Sequence, residues 1–354
     1  MPPVLDRRTF LFFAAAGPAV AQQRLVRDNL LLYRAPDGAV RSVRNTREWL
    51  QRREEILRAM ESIMGPLPGT EKRCPLDPLI EEESDAGSHI RRLVTYAAEP
   101  GSRVPAYLLI PKYLPGSGKQ APAVLCLHPT DHEIGHKVVV GLGGRPNRQY
   151  AAELADRGYV TFAPAYPLLA NYHPDLKALG YQSGTMKAIW DNIRGLDYLE
   201  TLPFVRRGAF GAVGHSLGGH NTVYTAVFED RIKVVVSSCG LDSYLDYKDG
   251  DIRGWTSERY MPKLLDYRHR LSEIPFDFHE MIGALAPRRC LISAPLRDDN
   301  FKAESVDRVA AAARHVYRLY GKPENLIIEH PDAAHDFPDA IRQRAYSLLA
   351  RSLK

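Results

Sequence analysis

Ala209-Phe210-Gly211-Ala212-Val213 runs directly into Gly214-His215-Ser216-Leu217-Gly218, and Leu217 to Phe228 continues with helical spacing. A short apolar run, a Gly-x-Ser-x-Gly turn and a helix form the strand–turn–helix context in which a serine is presented as a nucleophile. Glycines two residues to either side of Ser216 let the strand and helix approach each other without a Cβ in the way. A serine hydroxyl is a weak nucleophile at its ordinary pKa. A histidine must therefore take its proton, and an acid must orient that histidine.

Both partners are found downstream, in the chain order serine, acid, histidine. After the apolar run Cys290–Ala294 comes Pro295-Leu296-Arg297-Asp298-Asp299-Asn300-Phe301, which puts Asp298 in a turn at the end of a strand, with Asp299 as the alternative. After the strand Leu326–Glu329, the loop Pro331-Asp332-Ala333-Ala334-His335-Asp336-Phe337-Pro338 carries His335 just ahead of the last helix. The competing reading of His335 is a merely structural, surface-exposed histidine.

Outward from this turn the chain alternates strand and helix. His89–Ala97 and Val104–Ile110 read as paired strands, and Ala123–Leu127 as a buried parallel strand. Arg148–Arg157 reads as a helix closed by Gly158, Val160–Ala163 as a strand and Met186–Leu199 as a helix. Ile232–Ser237 reads as a strand, and Ala303–Tyr320 and Ala340–Leu353 as helices. This order predicts an α/β architecture: a mostly parallel central sheet with helices on both faces. Two aromatic-rich insertions interrupt it, about 167–185 and 241–277, after the strands ending near 164 and 239. Ligands bind at the C-terminal ends of strands in open α/β sheets, so Tyr172, Trp255 and Tyr260 are candidates to stack on a substrate. The alternative is that these aromatics form small hydrophobic clusters of their own.

Gly-His-Ser-Leu-Gly-Gly, the acid in Leu-Arg-Asp-Asp-Asn-Phe, and Ala-His-Asp-Phe together resemble the α/β-hydrolase superfamily. The resemblance covers roughly Val104 to the C-terminus and implies a serine hydrolase with Ser216, Asp298 and His335 as its triad. The Asp-Asp-Asn run is similar to the acid turn of prolyl-oligopeptidase-type peptidases, in which the first Asp is the acid, and so favours Asp298. The overall pattern resembles the acetylxylan-esterase and dienelactone-hydrolase-like group. In that group a His-Gly turn stands where this chain has Leu127-His128-Pro129-Thr130. The amide after the nucleophile, that of Leu217, is the expected first oxyanion donor. The second falls to Thr130 or Asp131, because Pro129 has no N–H. His128 and His215 are further pocket candidates.

His132-Glu133-Ile134-Gly135-His136 matches the His-Glu-x-x-His pattern of zinc peptidases. That pattern needs a helix, and Gly135 followed by Val138-Val139-Val140-Gly141 is poor helix sequence. Gly141-Leu142-Gly143-Gly144 is incomplete as a dinucleotide loop, since Pro146 stands in place of the third glycine. Neither metal nor cofactor is expected, because a triad transfers acyl groups without one.

The 354 residues are 45% hydrophobic and 25% charged, an ordinary globular composition. The net charge of +5 comes without a long like-charged run, so nucleic acid is not an expected partner. Asp6-Arg7-Arg8-Thr9-Phe10-Leu11, an apolar stretch and Ala19-Val20-Ala21 resemble a twin-arginine export signal over 1–21. The apolar segment is too short to span a bilayer, so an exported protein free of the membrane is expected. Three of the four cysteines lie in apolar strand-like runs and are expected to be free thiols. Residues 22–69 read as a linker and helical extension, with a helix over Arg47–Met64 capped by Asn45 and Glu48. Residues 70–354 read as the catalytic domain. The expected activity is hydrolysis of carboxylic esters, possible substrates being carbohydrate esters. A peptidase or amidase with the same triad is the alternative, and a binding protein on a retired scaffold or a zinc hydrolase stand behind it.

Overall fold

The computed structural model of the chain describes residues 24–353, so the export segment expected over 1–21 lies outside the described residues. The central sheet has nine strands. They are β3 (Leu79–Asp85), β4 (His89–Glu99), β5 (Ser102–Pro111), β6 (Ala121–Leu127), β7 (Val160–Pro164), β8 (Val205–His215), β9 (Ile232–Ser238), β10 (Arg289–Ser293) and β11 (Leu326–Glu329). Their order is β11-β10-β9-β8-β6-β7-β5-β4-β3. The six strands from β11 to β7 are parallel, and β5, β4 and β3 complete the sheet antiparallel. β1 (Leu32–Arg34) and β2 (Val40–Ser42) form a separate hairpin.

All seven residues of β6 are buried, as expected of a parallel strand covered on both faces. One face carries α2 (Tyr150–Asp156) and α7 (Asp339–Leu353), which bury Tyr150, Leu154, Ile341 and Leu349 against Val124, Val213 and Val236. The other face carries α3 (Gly184–Thr201), α4 (Leu217–Phe228), α5 (Phe278–Ala284) and α6 (Ala303–Leu319) around a larger core. The expectation of an α/β-hydrolase architecture holds. β3 and α5 escape the sequence reading because every residue of β3 is exposed and α5 spans only seven residues. Too little periodic signal is left in either.

The segment ahead of residue 70 shares the larger core. α1 (Thr46–Met64) buries Trp49, Ile56, Met60 and Ile63 there, and Leu30 joins them. Asn45 Oδ1 accepts from the Glu48 amide at 3.0 Å, whereas Glu48 Oε2 takes the Arg44 amide at 2.7 Å. The cap's return bond therefore reaches one residue further back than a capping box. Arg24 and Arg52 pair with the buried Glu280 of α5 at 2.5 and 3.5 Å, and Arg27 pairs with Asp277 at 3.3 Å.

Candidate active site

Ser216 stands between the end of β8 and the start of α4 with φ 55° and ψ −125°. Such a conformation costs a non-glycine residue about 1–3 kcal/mol and persists only where the surroundings impose it. Here the Ser216 amide donates to Ser238 O at 2.8 Å, and Ser216 O accepts from the His220 amide at 3.0 Å. Packing leaves no freedom at the flanking glycines. A Cβ on Gly214 would lie 2.2 Å from Gly218 backbone atoms, and one on Gly218 would lie 1.9 Å from Leu127 O. The two glycines bring strand, turn and helix into contact, and the serine is left at the turn's apex.

His335 and Asp298 arrive from the loops after β11 and β10. His335 Nδ1 lies 2.9 and 3.0 Å from the two carboxylate oxygens of Asp298, whose side chain is 1% exposed. With Nδ1 donating to the carboxylate, Nε2 is the nitrogen left to accept a proton. Asp298 Oδ1 also accepts from the amides of Asn300 (2.8 Å) and Phe301 (3.3 Å). Burial pushes the Asp298 pKa up, yet the bond and charge of His335 and the Asn300 amide outweigh it and hold the carboxyl below its usual range. The carbonyl oxygen of Asp299 accepts from Lys248 Nζ at 2.8 Å. The histidine thus meets the first Asp of the pair.

Ser216 and His335 open on one cavity of about 480 Å³. Its walls are polar. The loop after β6 contributes Thr130, Asp131, His132 and Glu133, and the run into α2 contributes Arg145 and Arg148. Asp131 Oδ1 accepts from the amides of Glu133, Ile134 and Gly135 at 3.0, 2.8 and 3.3 Å, which folds this loop over the mouth. The Leu217 amide heads the first turn of α4, where helix amides and dipole favour negative charge.

The aromatic candidates do not line the cavity, which corrects the expectation for Tyr172, Trp255 and Tyr260. Tyr172 is 5% exposed and donates to Asp191 Oδ2 at 2.9 Å. Asp191 pairs with Lys187 and is pushed up to about 6 by burial. Trp255 lies nearly parallel to the His220 ring at 4.2 Å and beside Tyr247, Tyr260 and Phe301. Tyr260 reaches only the edge of the site, its hydroxyl 3.3 Å from Thr130 Oγ1. In each case the ring finds a protein partner and becomes core.

His128 is corrected in the same way. It is 3% exposed, its Nε2 accepts from the Tyr166 amide at 2.9 Å, and its Nδ1 donates to Pro129 O at 2.8 Å. Burial lowers its pKa to about 4, so it stays neutral and pins the turn after β6. His215 does line the cavity, with its ring centroid 4.9 Å from that of His335. Residues 132–136 do not form the helix their motif requires. Gly135–Val140 is a 3-10 turn, His132 faces the cavity, and His136 is buried 5.0 Å from the Tyr107 ring.

Three residues that the sequence reading missed hold the His335-Asp336 segment. Arg148 is 5% exposed, pairs through Nη1 with Asp336 Oδ1, and donates through Nη2 to His335 O at 3.2 Å. Asn147 Nδ2 donates to Asp336 Oδ2 at 2.8 Å, and Cys239 Sγ to Asp336 O at 3.2 Å. Nothing local in the sequence links residues so far apart. The one available signal was the adjacency of Asp336 to His335.

The Bacillus subtilis protein YtaP is 24% identical over 314 residues, covering 86% of this chain and 99% of its own length. A 4-O-methyl-glucuronoyl methylesterase of Wolfiporia cocos is 24% identical over 183 residues, 47% of this chain and 45% of the relative. Among solved structures, a glucuronoyl esterase from Solibacter usitatus superposes with a TM-score of 0.73 at 18% identity, covering 91% of this chain and 97% of that one. At that identity the likeness concerns the fold. The sequence profile of the prolyl oligopeptidase family matches residues 147–351, a stretch that holds Ser216, Asp298 and His335 and exceeds half the chain. This chain belongs to the prolyl oligopeptidase family.

Proposed function

We propose that this protein is a serine hydrolase that cleaves carboxylic esters, with carbohydrate esters as its substrate class. The observation that carries the reading is the strained Ser216 turn opening on the same cavity as His335, whose Nδ1 is held by the buried Asp298. Ser216 Oγ attacks the ester carbonyl while His335 Nε2 takes its proton, and the imidazolium returns that proton to the departing alcohol. Water, activated by the same nitrogen, then hydrolyses the acyl-enzyme. The Leu217 amide and an amide at Thr130 or Asp131 hold the oxyanion, a contribution worth about 3 kcal/mol per donor.

A sugar ester suits a cavity whose wall carries Glu133, His132 and Arg145, with Pro129 and Val138 as its apolar members. The glucuronoyl esterase relatives support the same class. Residues 1–21 serve as an export signal in this reading. Residues 22–69 fold onto a catalytic domain of residues 70–354. Among the described residues, no helix is long and apolar enough to cross a membrane. The family match gives a peptidase or amidase as the second reading.

The test measures alcohol release from acetyl esters and from methyl esters of glucuronate, and amine release from peptide anilides, with the wild type and Ser216→Ala. Ester turnover should fall by about 10⁴-fold or more in Ser216→Ala. Anilide turnover without ester turnover would transfer the assignment to a peptidase. Activity unchanged in Ser216→Ala would remove the triad reading altogether.

A further inference from the structure

The dipeptide His335-Asp336 is held within its own loop by the Asp336 amide donating to Ala334 O at 2.6 Å, and it is also gripped by three residues from other segments. Arg148 takes both the His335 carbonyl, at 3.2 Å, and the Asp336 carboxylate. Asn147 takes the second Asp336 oxygen at 2.8 Å, and the Cys239 thiol takes the Asp336 carbonyl at 3.2 Å. Arg148 is also bonded to Pro146 O at 3.2 Å and lies on the cavity wall, so one guanidinium joins the wall to the base loop. A buried guanidinium with this many acceptors is held in one geometry.

We propose that Arg148 and Asp336 form a positioning pair for His335. The pair fixes the peptide that carries the base and balances the charge around the imidazolium. This inference rests on His335 being the base of the proposed reaction. Neither residue reacts; both act through the histidine.

Charge balance follows from what faces the ring. Asp298 faces it from the loop after β10, the Cys239 thiol from the end of β9, and His215 from the end of β8. Arg148 and Arg145 line the same cavity from the run into α2, and Asp336 follows His335 in its own loop with its carboxylate on Arg148. Burial of His215 and the nearby positive charges hold that ring neutral. Among these charges, Arg148 and Asp336 are the two attached to the peptide that carries the base. Burial pushes Asp336 up, but the Arg148 and Asn147 bonds outweigh it, so the carboxyl stays below its usual range and ionised at neutral pH.

Removing either charge has opposite consequences for the acid limb of kcat/KM, the side on which activity falls as the base becomes protonated. Asp336→Asn leaves Arg148 uncompensated and disfavours the imidazolium, so the limb moves to lower pH by about half a unit. Arg148→Met leaves Asp336 uncompensated and favours the imidazolium, so the limb moves up by a similar amount. Arg148→Lys keeps the charge but loses the forked grip, so the limb stays in place while kcat falls on the order of 10- to 100-fold.

The experiment is pH–rate profiles of these three variants on the best ester, with each variant's thermal unfolding recorded alongside. Limbs moving in opposite directions for Asp336→Asn and Arg148→Met establish the pair. Limbs that stay put in both, with activity lost only in step with unfolding, overturn it and leave an ordinary structural ion pair. If Arg148→Met does not fold, Asp336→Asn and Arg148→Lys decide, and an unmoved limb in the first overturns the proposal. Ser216→Ala run in parallel separates the two levels. Full activity there ends the triad reading, whereas its loss with unmoved limbs ends only this inference.

Discussion

The loop after β6 and the two aromatic insertions all leave the C-terminal edge of the same parallel sheet, and their roles are opposite to their composition. The insertions after β7 and β9 hold the aromatics, yet Tyr172, Trp255 and Tyr260 are 5%, 5% and 9% exposed and absent from the cavity wall. The loop after β6 is polar and forms the wall. Trp255 stacks on His220, and Tyr172 bonds to Asp191. A side chain whose stacking or hydrogen-bonding capacity is used internally belongs to the core, whatever end of a strand it follows. What remains for a ligand is the set of polar groups at the mouth.

Breaking the aromatic side of this comparison should give the largest effect. Trp255→Ala is expected to lower the unfolding free energy by about 3–5 kcal/mol, the usual cost of deleting a buried Trp, with KM for the best ester unchanged. Denaturant unfolding and steady-state kinetics check this. A tenfold rise in KM at unchanged stability would return Trp255 to the substrate.

Asp242, at the root of the second insertion, should give a smaller effect, dependent on pH. It is 2% exposed, its Oδ2 accepts from the Lys302 amide at 3.1 Å, and burial raises its pKa to about 8. The folded state therefore holds a proton that the unfolded chain releases above its ordinary value near 4. This group's contribution is full below pH 4 and is lost as pH rises toward 8. Asp242→Asn should raise stability at pH 8 relative to the wild type and leave it nearly unchanged near pH 4. Unfolding curves at the two pH values check the sign.

The smallest effect is expected on the polar side. Glu133→Gln and Arg145→Ala should each raise KM for a sugar ester by about tenfold, or 1.4 kcal/mol. Stability should stay within about 0.5 kcal/mol, as for other exposed substitutions. Equal KM for sugar and simple alkyl esters in the wild type would count against a sugar-reading wall.

The strands and helices from β4 to α7, α5 apart, were legible because each is long enough, or periodic enough, to declare itself. β8 and α4 meet at a turn whose glycines have a steric reason. The pairing of Asp298 rather than Asp299 with His335 was suggested by the acid turn, and the geometry brings Asp298 to the histidine at 2.9 Å. His128 was misread because a histidine near a site looks the same in sequence whether its nitrogens face ligand or backbone. Arg148 and Asp336 were missed because the contact between them spans 188 residues.

The sequence by itself determined the α/β alternation, the strained serine turn and the order of serine, acid and histidine, because these depend on local periodicity and on residues a few positions apart. Only the tertiary structure decided which polar groups face the cavity, which aromatics are core and what grips the base loop. Those outcomes depend on whether each side chain finds a partner from a distant part of the chain, and burial and hydrogen bonding are settled only when the elements pack.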